Sequence, residues 1–174
     1  GADLRNIVAM NATFYNTGMN NTYLQNAEFN RDSCPGGYCG EAYLSNVHLK
    51  NADLTNAMLA EVDLTNAYLY KAELTNSNLN NADLTDAIVA VADLTNAQLT
   101  QTNLTNANLF KADLTNAALY GAVLNNADLD GADLTNANLY SADLTDADFD
   151  EADLTNANLR FANLTGACLE DSDL

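Results

Sequence analysis

Every fifth residue along most of this chain is apolar, and the residues between are largely polar. From Leu44 to Leu174 there are 27 such positions; 25 are Leu, the exceptions being Val89 and Phe149. Two residues earlier, from Ala42 to Ser172, 22 of 27 positions are Ala, with Val47, Val62, Ser77, Thr102 and Ser172 the exceptions. A five-residue period fits neither regular element. On a helix each step of five rotates Leu by about 140°, which scatters the column around the axis. On a straight strand an odd spacing sends successive Leu to opposite faces. A single buried column therefore requires a corner every five residues. Between corners a short extended piece carries Ala and Leu inward together, and its other side chains face out. Stacked coils then pair as parallel strands do, about 4.8 Å apart. The pattern predicts an all-β solenoid with a filled interior.

The unit Ala-Asp-Leu-Thr-Asn, at 52–56, 112–116, 132–136 and 152–156, resembles the A(D/N)LXX motif of pentapeptide-repeat proteins, with an acidic, cyanobacterial-type character. The resemblance is close over 41–174, where no residue is inserted or deleted, and loose over 1–30. It implies a right-handed quadrilateral parallel β-helix of about eight coils, four pentapeptides to a coil, forming one domain over 1–174. A ten-residue alternation lies on top of it: Ala-Asp-Leu-Thr-Asn, then Ala-x-Leu-x-x. On four-sided coils one opposite pair of faces is then near-uniform and the other variable, so any specific function belongs to the variable pair.

Residues 1–30 form degenerate repeats. Their central positions are Leu4, Ala9, Phe14, Met19, Leu24 and Phe29, and the bulk of Phe predicts wider coils. Thr17, Thr22, Ser77 and Thr102 stand where Ala is usual, so each needs a partner for its hydroxyl, with backbone carbonyls the expected acceptors. Residues 31–40 break the composition but keep a count of ten, with Pro-Gly-Gly as a turn signal. They read as a projecting loop or as an insertion into a pair of faces. Cys34 and Cys39 flank that turn and are expected to form a disulfide; two buried thiols, or a zinc site with His48, are the other readings. Oxidation would place the chain in a periplasm or thylakoid lumen rather than the cytoplasm. Gly1 to Leu4 already lie in register without a basic apolar leader, so the chain either stays where it is made or has lost a targeting peptide.

Composition narrows the function. With 24 acidic and 6 basic residues the net charge is −18, which excludes nucleic-acid binding. No apolar run reaches membrane-spanning length, so no membrane insertion is expected. The filled interior, the absence of a nucleophile constellation around the single His48, and the lack of any phosphate loop predict no catalytic residue, no enzyme and no cofactor. Asp53, Glu73, Asp93, Asp113, Asp133, Asp153 and Asp173 should line one face, as the motif's ordinary outward residues. Asp128, Asp130, Asp148, Asp150, Glu151, Glu170 and Asp171 should crowd one variable face, with no Lys or Arg between Lys111 and Arg160. That cluster is the candidate surface for a basic protein partner. Outward Tyr68, Tyr70, Phe110, Tyr120, Tyr140 and Phe161 read first as stabilising ladders.

A non-catalytic structural or protein-interaction module is the leading expectation. The resemblance offers a second, because some family members bind DNA gyrase by imitating acidic duplex. Eighteen charges over about 40 Å come near the charge density of DNA. Such members are dimers through their C-terminal ends, whereas residues 148–174 here carry seven acids and one Arg, so that pairing would be repulsive. Self-association through the other solenoid end fits better. A divalent-cation surface is the third expectation, and a flat Asp grid supplies only part of a calcium cage.

Overall fold

In a computed structural model, residues 2–9, 14, 17–27, 29 and 42–174 are described. Each described pentapeptide contributes one residue to parallel bridges, and from Tyr43 onward bridged residues on a face are twenty apart. Four faces make a coil. Face one is centred on Leu44, face two on Leu49, face three on Leu54 and face four on Leu59, each repeating every twenty residues. On face three the rungs run Asp3, Tyr23, Asp53, Glu73, Asp93, Asp113, Asp133, Asp153, Asp173. Eight steps of about 4.8 Å give a stack roughly 38 Å long. Faces one and three are the uniform pair; faces two and four are variable.

The unit 112–116 shows why these five residue types build the coil, because all five backbone amides are satisfied. Ala112 donates to the Leu109 carbonyl across the corner (2.9 Å), Asp113 to Ala92 in the preceding coil (2.9 Å), and Leu114 to Asp133 in the next (2.7 Å). Asn116 donates to Thr135 (2.9 Å). The backbone leaves only the Thr115 amide, which donates to the Asp113 carboxylate at 2.9 Å. Asp thus completes the pairing that a close-packed solenoid requires. Ala is small enough for the narrow interior, and Leu114 is fully buried. Asn116 has φ 58, the left-handed conformation that Asn and Gly adopt most readily.

The same positive φ recurs at every described corner, including those that hold unsuitable residues. Val91 has φ 58, and a β-branched side chain in that region is strained by about 1–2 kcal/mol. We expect Val91→Asn to stabilise the protein by about 1 kcal/mol, read as a rise in the urea midpoint at unchanged slope.

Between Phe29 and Ala42 the count changes. Gly18 bridges to His48 and Tyr23 to Asp53, an offset of thirty residues where the later pairs have twenty. The Ala42 amide donates to the Phe29 carbonyl at 3.4 Å, the bond that elsewhere spans a two-residue corner. The Phe29–Ala42 bond thus has the form of a corner bond, and residues 31–40, read as a projecting loop or an insertion into a pair of faces, lie outside the described residues. Cys34 and Cys39, with the disulfide expected of them, lie outside the described residues.

The apolar column is continuous from Met19 to Leu154, and Leu159, Leu164 and Leu169 are only partly buried in the last coil. Phe29 is fully buried and meets Phe14 edge-to-face at 6.0 Å. Its coil keeps ordinary ladder bonds, Leu24 to Asp53 at 2.7 Å among them. Thr22 and Thr102 bond to the Met19 and Leu79 carbonyls, both at 2.7 Å, as expected. Ser77 departs from expectation: its buried hydroxyl has no partner among the described residues. Its amide donates to the Leu74 carbonyl at 3.0 Å. Ser77→Ala removes an unsatisfied group from a site where Ala is usual, so thermal melting should show a gain of about 1 kcal/mol.

Candidate functional site

Most Asp and Asn side chains beside the central Leu of the uniform faces are engaged with their own corners. Asp53, Asp93, Asp113, Asp133 and Asp153 on face three each accept the amide of the Thr two residues on, at 2.8–3.1 Å. On face one Asp63, Asp83, Asn103, Asp143 and Asn163 accept both the amide and the hydroxyl of their Thr. For three of these groups such bonds favour the charged carboxylate. The Thr145 hydroxyl, above all, holds Asp143 below the usual carboxylate range, and the Thr155 hydroxyl does the same for Asp153. For Asp93 burial pushes upward, but the Thr95 hydroxyl and amide and the Thr75 hydroxyl outweigh it. Arg5, through a side-chain bond and ion pair, lowers Asp3 to about 2.

A depressed folded-state pKa means the unfolded chain takes up protons first as pH falls. The stability these groups contribute is present above the unfolded carboxylate range near pH 4, and is lost as pH falls through their lower folded values. Between pH 7 and 5, partial protonation of a −18 surface relieves repulsion and acts the other way. We therefore expect the melting temperature to peak near pH 5 and fall steeply below about 4. Asp143→Asn keeps an acceptor, as Asn163 does one coil later, so it should leave stability at pH 7 nearly intact and make the acid limb shallower.

The seven acids expected to crowd one variable face do so. Asp128 and Asp148 are consecutive rungs of face two, and Cys168, an exposed free thiol, is the next. Asp130, Asp150 and Glu170 lie on the far side of the central Leu or Phe, with Glu151 and Asp171 at the corners. The cluster divides chemically. Asp128 accepts the Asp130 amide and an Asn108 amide hydrogen, and Asp148 accepts the Asp150 amide, so both do the motif's ordinary work. The side chains of Asp130, Asp150, Glu151, Glu170 and Asp171 take no hydrogen bond among the described residues. One Asp150 oxygen is buried without a partner among the described residues. The one ion pair among the described residues is Arg5–Asp3, far along the solenoid. Left-handed backbone at Glu151 (φ 53) and Asp171 (φ 54) adds local strain to the repulsion.

The other half of face two was not singled out in the sequence. Lys50, Lys71 and Lys111, the chain's three lysines, all lie on it, before the acidic rows begin. Their spacing held the signal: 71 and 111 differ by two coils and share a corner position, and 50 lies beside the central Leu one coil earlier. Face four instead carries stacked Tyr120 and Tyr140, centroids 5.5 Å apart and 9° from parallel, as the one-coil spacing predicted. Phe161, 72% exposed, meets Tyr140 edge-on at 5.2 Å.

Among the described residues there is no pocket, no group of three His, Cys, Asp or Glu that could hold a metal ion, and no helix long and apolar enough to cross a membrane. The surface offers flat rows at strand spacing, suited to wide contact with a macromolecule.

The sequence profile described as pentapeptide repeats matches eight copies, over residues 38–76, 48–86, 92–126, 112–150 and 137–174. Among solved structures the chain is similar to HetL, a pentapeptide repeat protein involved in heterocyst differentiation regulation from the cyanobacterium Nostoc sp. strain PCC 7120. Identity is 30%, covering 99% of this chain and 87% of that one, with a TM-score of 0.48. QnrB1, a plasmid-mediated fluoroquinolone resistance protein, has 21% identity, coverage of 98% and 90%, and a TM-score of 0.74; it shares the fold. A pentapeptide repeat protein of the Arabidopsis thaliana thylakoid lumen has 31% identity over 52% of this chain and 63% of its own, with a TM-score of 0.51. No curated protein matches.

Proposed function

The chain belongs to the pentapeptide-repeat family, and on that premise we propose that its right-handed, four-sided coil is a non-catalytic interaction module that presents the acidic rows of face two to a basic protein partner. The observation that carries this reading is the division within the acids. Asp53, Asp63, Asp83, Asp93, Asp113, Asp133, Asp143 and Asp153 of the uniform faces, with Asp128 and Asp148, accept backbone amides. Asp130, Asp150, Glu151, Glu170 and Asp171 take no hydrogen bond among the described residues and, unlike the scattered Glu61, Glu73, Asp146 and Asp173, crowd one face. Like charges at spacings of about 5–6.5 Å repel, and a basic surface relieves that repulsion on binding.

Immobilised chain should retain a basic protein from a cyanobacterial lysate, and a variant with those five carboxylates replaced by Asn and Gln should not. Retention by the variant, or no capture by either, overturns the reading. A parallel titration with DNA gyrase tests imitation of an acidic duplex, which depends on charge all round the solenoid. The Cys34–Cys39 pair supports an oxidising compartment, periplasm or thylakoid lumen. Thiol titration of the unfolded, unreduced chain should then count one free cysteine of three; a count of three removes the support for an oxidising compartment.

A further inference from the structure

Face two reverses character along its length. Its rows from Gly18 to Lys111 hold no carboxylate, although the chain has 24. They hold His48, Lys50, Tyr68, Tyr70, Lys71, Ile88, Val91, Phe110 and Lys111. Lys50 and Lys71 place their ammonium groups 5.4 Å from the centre of the same Tyr70 ring. The Lys111 ammonium stands 4.8 Å over Phe110. His48 leans on Tyr68 at 5.9 Å, and Tyr68 stacks on Tyr70 at 6.2 Å. None of these lysines forms an ion pair among the described residues. Lys71 (φ 58) and Lys111 (φ 53) also occupy corners whose left-handed backbone suits Asn or Gly.

A cation over an exposed ring gains about 0.5–1 kcal/mol. That favours the ammonium over the ring and leaves its outward donors free. The patch is a set of hydrogen-bond donors on an aromatic floor, with exposed Ile88 (41%) and Val91 (38%) between Lys71 and Lys111.

We propose that these rows dock an extended acidic segment of a partner polypeptide, with carboxylates at both ends and an apolar residue between them. The inference rests on the interaction reading above and adds a second, oppositely charged contact to it. Size and charge decide the occupant. From the His48 row to the Asn108 row is three steps, about 14 Å, the reach of four or five extended residues. A globular second copy needs about 800 Å² on each partner for a stable interface and would bring eighteen negative charges with it. Carboxylates at one end meet Lys50 and Lys71, the apolar residue covers Ile88 and Val91, and the far carboxylate meets Lys111.

The test uses a labelled peptide, Gly-Asp-Glu-Leu-Leu-Asp-Glu-Gly, and fluorescence anisotropy at about 0.15 M salt, where distant acids are screened over about 8 Å. Saturable binding is expected. It should weaken at least about tenfold in a Lys50→Glu/Lys71→Glu variant and persist in Lys50→Arg/Lys71→Arg. Equal melting temperatures of the variants exclude unfolding as the cause, since both lysines are exposed. No saturable binding up to millimolar peptide, or equal binding to the charge-reversed variant, overturns the proposal. So does tighter binding of heparin at the same lysines, which would make the occupant an anionic glycan. A basic peptide of the same length supplies the other arm. If it binds the acidic rows while the acidic peptide binds nowhere, the interaction reading stands and this inference falls; if neither peptide binds, both fall.

Discussion

Deleting Asn96 alone is expected to destabilise the protein more than deleting the whole twenty-residue stretch 92–111. The longer excision joins Val91 to Ala112, and because Val91 and Lys111 hold the same corner position one coil apart, the new junction repeats the Val91–Ala92 and Lys111–Ala112 steps. Every downstream side chain keeps its face, and one coil of nearest-neighbour packing is lost. Melting should stay cooperative at a modestly lower temperature. Loss of Asn96 leaves a one-residue corner between Leu94 and Ala97. Either the turn fails, or Ala97 and Leu99 rotate out of the column, at about 1.5–3 kcal/mol for exposing the Leu alone. Circular dichroism melts of the two deletion variants decide the matter, and a more stable single-residue deletion would contradict the twenty-residue register.

The second large effect concerns depth in the column. Leu114 is fully buried with coils above and below, so Leu114→Ala should cost about 3–4 kcal/mol, the transfer loss together with an uncollapsed cavity. Leu164, in the last coil, is only partly buried, and Leu164→Ala should cost about 1 kcal/mol. Urea unfolding of both variants measures the difference. Equal losses would mean that the column is not one continuous core.

The core and the face pattern were legible because the residues that fill the column hardly vary, and a five-residue period admits no helix or straight strand. The twenty-residue coil came from the family resemblance, and the bridges bear it out. Two things were harder to read. The roles of Asp and Asn within the motif depend on which single amide the backbone leaves unpaired and on the sign of φ at the corner, and neither is visible as hydrophobicity. Nor does residue identity separate the Ser77 hydroxyl, which has no partner among the described residues, from those of Thr22 and Thr102, which bond to backbone carbonyls. At the candidate surface, the clustering of Asp128 to Asp171 followed from counting in twenties. Its division into amide-capping and unengaged acids did not, since Asp128 and Asp130 differ only in which side of Leu129 they occupy. The lysine rows escaped notice for a related reason: three lysines among 174 residues look sparse until they are placed on one face.

Two variants of identical charge test the central claim, that the uniform faces build the solenoid and a variable face binds. One neutralises Asp130, Asp150, Glu151, Glu170 and Asp171; the other neutralises Asp93, Asp113, Asp133, Asp153 and Asp173, each to Asn or Gln. The measurement is the affinity of each for the captured basic partner. Loss of at least about tenfold in the first variant, with the second within about twofold of the parent chain, is the predicted result. Equal losses in the two would show that total charge, rather than one face, holds the partner, and would contradict the account.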